Sequence, residues 1–194
     1  MSAEEKEVIR HEAKLHRDRI DPFSEDLDAV CVHFFDAIKP EKGQVISLYW
    51  PKGREFPTTS LIDDLLQKGF TCALPVVQKG ERVLKFARWD ESIELVKCEF
   101  DLMEPVANDK TEWVEPDILV IPLLAFDRKG HRMGYGMGYY DATITALKEK
   151  KDITTVGLCY AQQAVLFNLP TEPHDESLDW VITTQAAHKF KSEE

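Results

Sequence analysis

The apolar run DILVIPLL at residues 117–124 constrains the fold of this chain more than any other segment. A continuous apolar run of this length, without alternating polar positions, is typical of a strand buried on both faces in the centre of a parallel sheet. Parallel strands are joined by crossover connections that usually contain a helix. The run therefore predicts an α/β fold with further strands and helices on either side of it.

Helical and strand patterns alternate along the rest of the chain. Predicted helices cover residues 2–20, 58–68 and 139–151. A further helix is predicted after Asp21 and Pro22, and it is expected to bury an apolar stripe that recurs at helical spacing: Phe23, Leu27, Val30, Cys31, Phe34 and Ile38. Predicted strands cover residues 44–50, 72–77, 117–124, 154–159 and, as the last strand, 178–183, while an antiparallel hairpin or meander starts with a strand at 82–89 and runs to about residue 108. We expect a Rossmann-like three-layer α/β sandwich, with a mostly parallel central sheet and a small antiparallel excursion, in a single domain over residues 1–194. Ligands of such sheets usually bind beyond the carboxyl ends of the strands.

The composition of the chain limits which classes of partner it can bind and in which cellular compartment we expect it. A formal net charge of −11 argues against nucleic acid as the main partner, because phosphate binding needs a basic field. The first twenty residues are charged throughout, and no run approaches the length of a membrane span. The four cysteines are far apart and form no C-x-x-C pattern, which argues against a disulfide framework or a structural zinc site. We expect a cytoplasmic monomer that binds neither nucleic acid nor membrane.

The segment GHRMGYGMGYYD at residues 130–141, which we expect to follow the predicted strand at 117–124 directly, is the strongest candidate for a binding loop. Gly134, Gly136 and Gly138 are spaced G-x-G-x-G, which fits the dinucleotide fingerprint poorly, and no Walker A sequence occurs. Glycines between a buried strand and a helix let the backbone approach an anion closely, and a helix start offers N–H donors. Basic residues in the same segment are Arg128, Lys129 and Arg132. A glycine-rich connection with solvated basic residues is the alternative.

The predicted N-terminal helix carries a second group of positive charges. Lys6, Arg10, Lys14 and Arg17 are three or four residues apart, so like charges lie along one face of the helix. Glu7 and Asp18 could relieve part of the repulsion, and a solvated helix face is the usual meaning of such a pattern. Two basic groups in an acidic protein favour a polyphosphate bound between them.

Residues 127–141 (DRKGHRMGYGMGYYD) resemble the signature of the 5-formyltetrahydrofolate cyclo-ligase family, also called 5,10-methenyltetrahydrofolate synthetase. Other segments agree with that family in the same order: Lys6-x-x-x-Arg10, Ile46-Ser47-Leu48-Tyr49 leading to Glu55 and Thr58, Leu74-Pro75, Glu104-Pro105, Gln163 ahead of Leu169-Pro170, and His174-Asp175. The resemblance implies an ATP- and Mg²⁺-dependent closure of 5-formyltetrahydrofolate to 5,10-methenyltetrahydrofolate, with release of ADP and phosphate. In the family's chemistry the formyl oxygen takes the γ-phosphoryl group, and folate N10 then attacks the carbon of this imidate phosphate.

The resemblance also implies roles for individual residues. Implied ATP-binding residues are Lys6, Arg10, Arg132, Gly134, Tyr135, Gly136, Met137, Gly138, Tyr139 and Tyr140; implied pterin-side residues are Trp50, Glu55 and Tyr139; implied metal ligands are Asp141 and Asp175. Each has a structural alternative: Glu55 as a surface turn residue, Trp50 as core, Tyr140 packed under the loop, and Asp141 as a helix N-cap. A paralogue with another substrate and a nucleotide-binding module without turnover are the competing functions.

Overall fold

Helices and strands alternate along the chain in the computed structural model, which describes residues 3–98 and 101–190. The helices are α1 (Ala3–Arg19), α2 (Ala29–Ile38), α3 (Thr59–Gln67) and α4 (Tyr139–Lys148), and short 3-10 helices cover Pro22–Ser24 and Ala161–Gln163. The strands are β1 (Val45–Ser47), β2 (Thr71–Val76), β3 (Lys85–Arg88), β4 (Leu95–Lys97), β5 (Met103–Pro105), β6 (Trp113–Val114), β7 (Ile118–Pro122), β8 (Ala125–Phe126), β9 (Arg132–Met133), β10 (Thr154–Leu158), β11 (Trp180–Ile182) and β12 (Ala187–Lys189).

The central sheet has eight strands within the described residues, in the order β12-β11-β10-β7-β1-β2-β3-β6. The five strands from β11 to β2 are parallel to their neighbours, and β7 lies in the middle of them. Antiparallel strands flank this core, with β12 on one edge and β3 and β6 on the other. The pairs β4–β5 and β8–β9 form separate two-stranded antiparallel sheets. The predicted mostly parallel sheet with a small antiparallel excursion is confirmed.

Side chains of β7 alternate between two apolar clusters on opposite faces of the sheet. Ile118 and Val120 join the cluster that contains the buried side chains of α2 and α3. Leu119 and Ile121 join the cluster that contains Ile144 of α4. Because successive strand residues point to opposite faces, an uninterrupted apolar run needs helices on both sides. The three-layer arrangement is therefore also confirmed.

Helix α1 has few apolar residues and packs beside the sheet through a narrow stripe. Ile9 and Ala13 lie against a third apolar cluster. This cluster contains Leu124, which precedes the β8–β9 hairpin, and Met133, which lies in β9. Acidic residues in its first turn and basic residues in its last turn match the helix dipole. Its predicted first residue, Ser2, lies outside the described residues. This packing sets the basic face of α1 beside the segment that follows β9.

The second helix begins later than its apolar spacing predicts. Pro22–Ser24 forms a 3-10 helix, in which the Asp21 side chain accepts a hydrogen bond from the Phe23 amide, and α2 starts only at Ala29. Phe23 is consequently 97% exposed, so its assignment to the buried stripe is wrong. The Asp21 cap and Pro22 favour a short turn over a continuous helix. The spacing of apolar residues alone cannot distinguish these two conformations.

Two other predictions need correction. The strand at 178–183 is not the last, because β12 pairs antiparallel with β11 after a turn in which Thr183 Oγ1 accepts from the Ala186 amide. Three residues with the sequence AHK carry too little β-propensity to be recognised. The glycine-rich segment also does not follow β7 directly: the β8–β9 hairpin intervenes, and Gly130 belongs to the turn of that hairpin with a φ of +84°.

Within the described part of the chain, no helix combines the length and the apolar character that crossing a bilayer requires.

Gly157 offers a test of how tightly the central sheet is packed. A Cβ at this position in β10 would lie 2.5 Å from Leu123 Cδ2 and 2.7 Å from Leu178 Cδ1. We expect Gly157→Ala to lower the free energy of unfolding by about 1–3 kcal/mol, the usual cost of overpacking a core. Gly134→Ala is the matched control, since a Cβ there would meet no atom within 4 Å. Urea denaturation measures both, and equal midpoints for the two variants would contradict this description of the core.

Candidate functional site

A cavity of about 750 Å³ opens at the carboxyl ends of the central strands. Trp50 follows β1, Val77 follows β2 and Pro122 ends β7, and all three line this cavity. Its volume lies in the range of small-molecule sites. The expected position of a ligand site, beyond the carboxyl ends of parallel strands, therefore coincides with this cavity.

The glycine loop, residues 134–138, connects β9 to α4 and forms one wall of the cavity. Gly136 and Gly138 have φ values of +86° and +70°, a region that side chains with a Cβ rarely adopt. Gly136 also permits a close approach, because a Cβ there would lie 2.9 Å from Cζ of Arg10. Arg10 Nε donates to the carbonyl oxygen of Gly134 at 3.1 Å. The loop and α1 are thus in direct contact, while Arg128 and Lys129 before the loop are exposed, as the alternative of solvated basic residues expected.

The basic face of α1 lines the same cavity through Lys6, Arg10, Lys14 and Arg17. Arg17 is only 4% exposed and donates to the carboxylate of Asp18 at 2.7 Å, while Lys14 pairs with the same carboxylate at 2.7 Å. Arg10 also pairs with Glu7. The expected relief of like-charge repulsion by Glu7 and Asp18 is present, but the face is turned towards the loop and the cavity. It is not a purely solvated surface.

An acidic group on the segment after residue 170 meets the N-terminal end of α1. Lys6 Nζ lies 2.6 Å from Asp175 Oδ2 and 3.2 Å from Glu172 Oε2. These two carboxylates raise the pKa of Lys6 against the opposing effect of burial. Burial alone would raise the pKa of Asp175, but the hydrogen bonds from Lys6 and from the Glu172 amide lower it. Asp175 is therefore an ionised carboxylate at the edge of the cavity.

Asp141 lies in the first turn of α4 and joins that helix to the same acidic segment. Its Oδ1 accepts from Arg132 Nη2 at 2.6 Å and from the Glu176 amide at 3.0 Å. Arg132 also donates to the Glu176 carbonyl oxygen, and its side chain is only 5% exposed. The N-cap of α4 is Gly138, so Asp141 is not the N-cap that we considered as an alternative. Both terminal nitrogens of Arg132 donate to protein acceptors. Fewer of its N–H groups are therefore available to bind an anion than the sequence suggests.

The donor set near Asp175 fits a hard divalent cation. Glu172, His174 and Asp175 offer ligand atoms that lie within 4.8 Å of one another, and two of the three are carboxylate oxygens, which Mg²⁺ prefers. Sequence reasoning missed Glu172, and the acidic sequence TEPHDE at residues 171–176 was the signal for it. Asp141 stands beside this segment through the Glu176 amide. The metal roles of Asp141 and Asp175 stay predictions.

Glu55 also lines the cavity and is 9% exposed. Its Oε2 accepts from the Lys52 amide at 2.7 Å, and the hydroxyl of Tyr135 bonds to the same carboxylate. Burial raises the pKa of Glu55, and these two bonds together with the charge of Arg17 oppose the rise. A buried carboxylate that faces a cavity does not fit the alternative of a surface turn residue.

The aromatic residues near Glu55 contact both the apolar core and the cavity. Trp50 packs edge-on against Trp89 with ring centroids 5.5 Å apart, and it also lines the cavity. Tyr139 and Tyr140 begin α4 and pack against the cluster that contains Ile144, so Tyr140 does lie partly under the loop. Met137 lines the cavity and is about half exposed. Each residue predicted to bind ATP, pterin or metal lines this one cavity, and their individual roles stay predictions.

Comparison with known proteins gives the same family from sequence and from structure. The sequence model described as the 5-formyltetrahydrofolate cyclo-ligase family matches residues 2–184. The chain is 32% identical to the 5-formyltetrahydrofolate cyclo-ligase of Haemophilus influenzae over 92% of this chain and 97% of that protein. It is 31% identical to the 5-formyltetrahydrofolate cyclo-ligase of Mycolicibacterium smegmatis over 73% of this chain and 74% of that protein.

Solved structures resemble the fold over nearly the whole chain. The 5,10-methenyltetrahydrofolate synthetase of Aquifex aeolicus superposes with a TM-score of 0.77 at 24% identity, covering 97% of this chain and 94% of that one. The 5,10-methenyltetrahydrofolate synthetase of Mycoplasma pneumoniae gives 0.70 at 20% identity, covering 92% and 98%. At these identities the likeness concerns the fold, while the match over residues 2–184 places the chain in the 5-formyltetrahydrofolate cyclo-ligase family.

Proposed function

We propose that this protein catalyses the ATP-dependent ring closure of 5-formyltetrahydrofolate to 5,10-methenyltetrahydrofolate, with release of ADP and phosphate. One observation carries the proposal: the buried carboxylate Glu55, the glycine loop and the cations of α1 all line a single cavity. A pterin and a polyphosphate bound there would lie next to each other. Family membership supplies the reaction class.

The nucleotide side offers what phosphoryl transfer requires. That reaction depends on positioning and charge neutralisation more than on a protein nucleophile. Lys6 and Arg10 approach from α1, and the glycine loop leads directly into the N-terminus of α4, which presents backbone N–H groups. Lys6 is now paired with Asp175 and Glu172, so we expect the ammonium to be shared with, or passed to, the phosphates.

Magnesium would be held by Asp175 and Asp141, with Glu172 as a further oxygen donor, and would neutralise phosphate charge there. The ammonium group of Lys6 already balances the charge of two of these carboxylates, because it lies 2.6 Å from Asp175 and 3.2 Å from Glu172. Arg132 holds Asp141 through Oδ1 and the adjoining Glu176 through its carbonyl, so its main contribution is to orient the carboxylate.

The folate side orients the pterin. The Glu55 carboxylate accepts hydrogen bonds from pterin N–H groups, and Trp50 offers a ring face at the cavity wall. The formyl oxygen then faces the γ-phosphoryl group and takes it as the bond to ADP breaks, which forms an imidate phosphate. Folate N10 attacks the activated carbon and loses its proton to solvent, a C–N bond forms, and the C–O bond breaks with phosphate as the leaving group. Because the cavity would hold both reactants in place and exclude water, the reaction between them becomes effectively intramolecular.

A paralogue with another substrate remains the rival function, and direct assay separates the two. We expect purified protein with 5-formyltetrahydrofolate, ATP and Mg²⁺ to produce the absorbance of methenyltetrahydrofolate. ATP binding without formation of that product would overturn the proposal in favour of a paralogue or a nucleotide-binding module.

Replacement of Asp141 by asparagine tests the metal side. Asp141→Asn keeps an oxygen that can accept from Arg132 and the Glu176 amide, but removes the charge. We expect kcat to fall on the order of 100-fold, the scale of losing one group that stabilises developing charge, with the KM for folate within about twofold. Steady-state kinetics at saturating Mg²⁺ measure both constants. Asp152→Asn, an exposed acid beyond the end of α4, is the control. Equal losses in kcat and folate affinity would indicate a structural role for Asp141.

Replacement of Glu55 by glutamine tests the folate side. Glu55→Gln keeps the shape of the side chain and removes the charge that accepts pterin N–H bonds. We expect the KM for 5-formyltetrahydrofolate to rise about 10- to 100-fold, the scale of a lost charge-assisted hydrogen bond, while the KM for ATP stays unchanged. The same change at the exposed Glu91 is the control. An unchanged folate KM in Glu55→Gln would remove Glu55 from the pterin site.

A further inference from the structure

We propose that Tyr135 is a positioning residue that couples folate binding to nucleotide binding, by linking the glycine loop to Glu55 through a hydrogen-bond relay from Arg17. The inference rests on the proposed function and goes beyond the sequence-based assignment of Tyr135 to the ATP site. The structure places its hydroxyl on the folate side of the cavity, between two buried charges.

The direction of the relay follows from the chemistry of its members. The Arg17 guanidinium can only donate, and it donates to the Tyr135 hydroxyl oxygen. That hydroxyl has one hydrogen, and the Glu55 carboxylate to which it bonds can only accept while it is ionised. The positive charge of α1 is therefore connected through Tyr135 to the negative charge of Glu55. Arg17 also lies 5.8 Å from the centroid of the Tyr135 ring, which adds a cation–π contact.

Burial gives this relay weight. Arg17 is 4% exposed and Glu55 is 9% exposed, so neither charge is well hydrated, and hydrogen bonds are stronger where water is excluded; Tyr135 between them is 41% exposed as a whole residue. Arg17 is held independently by two hydrogen bonds to Asp18, at 2.7 and 3.1 Å. Tyr135 thus bonds to a cation anchored on α1 and to a carboxylate anchored by the Lys52 amide.

The same residue belongs to the loop that would cradle phosphate. Its neighbours Gly134 and Gly136 both contact Arg10, through a hydrogen bond at the carbonyl of Gly134 and through close approach at Gly136. Three successive loop residues therefore depend on α1, and the middle one alone reaches across to Glu55. A change in the position of Glu55 reaches the glycine loop through the Tyr135 side chain.

The sign of the coupling follows from the capacity of the carboxylate. A carboxylate offers about four lone-pair sites, and the Lys52 amide and the Tyr135 hydroxyl use two of those at Glu55. Pterin N–H groups can use the others without displacing Tyr135. Bound folate then fixes Glu55, Tyr135 and the loop together, so less ordering remains for the nucleotide and each ligand strengthens binding of the other.

The relay also sets how folate binding responds to pH. The groups that act on Glu55 are Lys52, Arg17 and Tyr135, and the buried hydroxyls of Tyr49 and Tyr140 also interact with it. Burial raises the pKa of Glu55, and the Tyr135 hydrogen bond opposes that rise. Loss of the hydroxyl therefore raises the pKa further. Because the ionised form accepts the pterin N–H bonds, folate binding is lost as pH falls through this pKa, and the loss begins at a higher pH without the hydroxyl.

Tyr135→Phe tests the proposal by calorimetric titration with 5-formyltetrahydrofolate, in the presence and absence of Mg²⁺ and a non-hydrolysable ATP analogue. We expect the analogue to strengthen folate binding at least about fivefold in the unmodified protein, the lower end of typical coupling between sites. In Tyr135→Phe this factor should fall to about one, and the acid limb of folate binding should move to higher pH. Affinity for the analogue alone should change less than about twofold.

A double-mutant cycle and a matched control isolate the relay. In the Glu55→Ala background, Tyr135→Phe should cause no further loss of coupling, because the relay has already lost its acceptor. Tyr160→Phe makes the same chemical change outside the cavity and should leave the coupling factor intact. If Tyr135→Phe melts at a much lower temperature than the unmodified protein, Arg17→Met removes the donor at the other end and should also abolish coupling.

The outcomes separate this inference from the proposed function. Folate binding and turnover with a coupling factor unchanged by Tyr135→Phe would overturn the relay alone, as would an effect of equal size from Tyr160→Phe. No folate binding by the unmodified protein would overturn the proposed function and the relay with it.

Discussion

Strand β7 is buried on both faces, and the arrangement of the other strands depends on that burial. Its side chains alternate between the cluster under α2 and α3 and the cluster under α4, so neither helical layer can be omitted without exposing apolar surface. Parallel hydrogen bonding to β1 on one side and β10 on the other fixes the register of the sheet centre. Since parallel strands end at the same edge, the segments that leave β1, β2 and β7 converge on one cavity.

Basic residues line that cavity although the chain as a whole is acidic. The chain carries a formal net charge of −11, yet α1 brings four basic residues to the cavity wall. An apolar stripe on the same helix, Ile9 and Ala13, packs against the cluster beside the β8–β9 hairpin and so aims the basic face. Lys6 and Arg17 each have a carboxylate within hydrogen-bond distance, which offsets part of the free-energy cost of burying their charges.

Much of the fold could be predicted because burial leaves a direct record in sequence. Residues 117–124 revealed a strand covered on both faces, and strand–helix alternation gave the three layers. The errors have local causes: Phe23 has the right spacing but lies in a turn capped by Asp21, and Ala187–Lys189 forms a strand only because β11 offers an edge. Gly130 looked like part of the glycine loop, yet it serves the β8–β9 turn, where the Leu178 carbonyl leaves no room for a Cβ.

The sequence by itself determined which segments form helices and strands, which family signature the chain carries, and which residue types are available for phosphate, pterin and metal. The tertiary structure decided the partners: Lys6 with Asp175, 169 positions away, Arg132 with Asp141 and the Glu176 backbone, and Tyr135 with Arg17 and Glu55. Local patterns report backbone preference and burial, which each segment expresses largely by itself. The partner of a charged side chain depends on which distant segments the packing brings within hydrogen-bond distance, and no short-range pattern contains that distance.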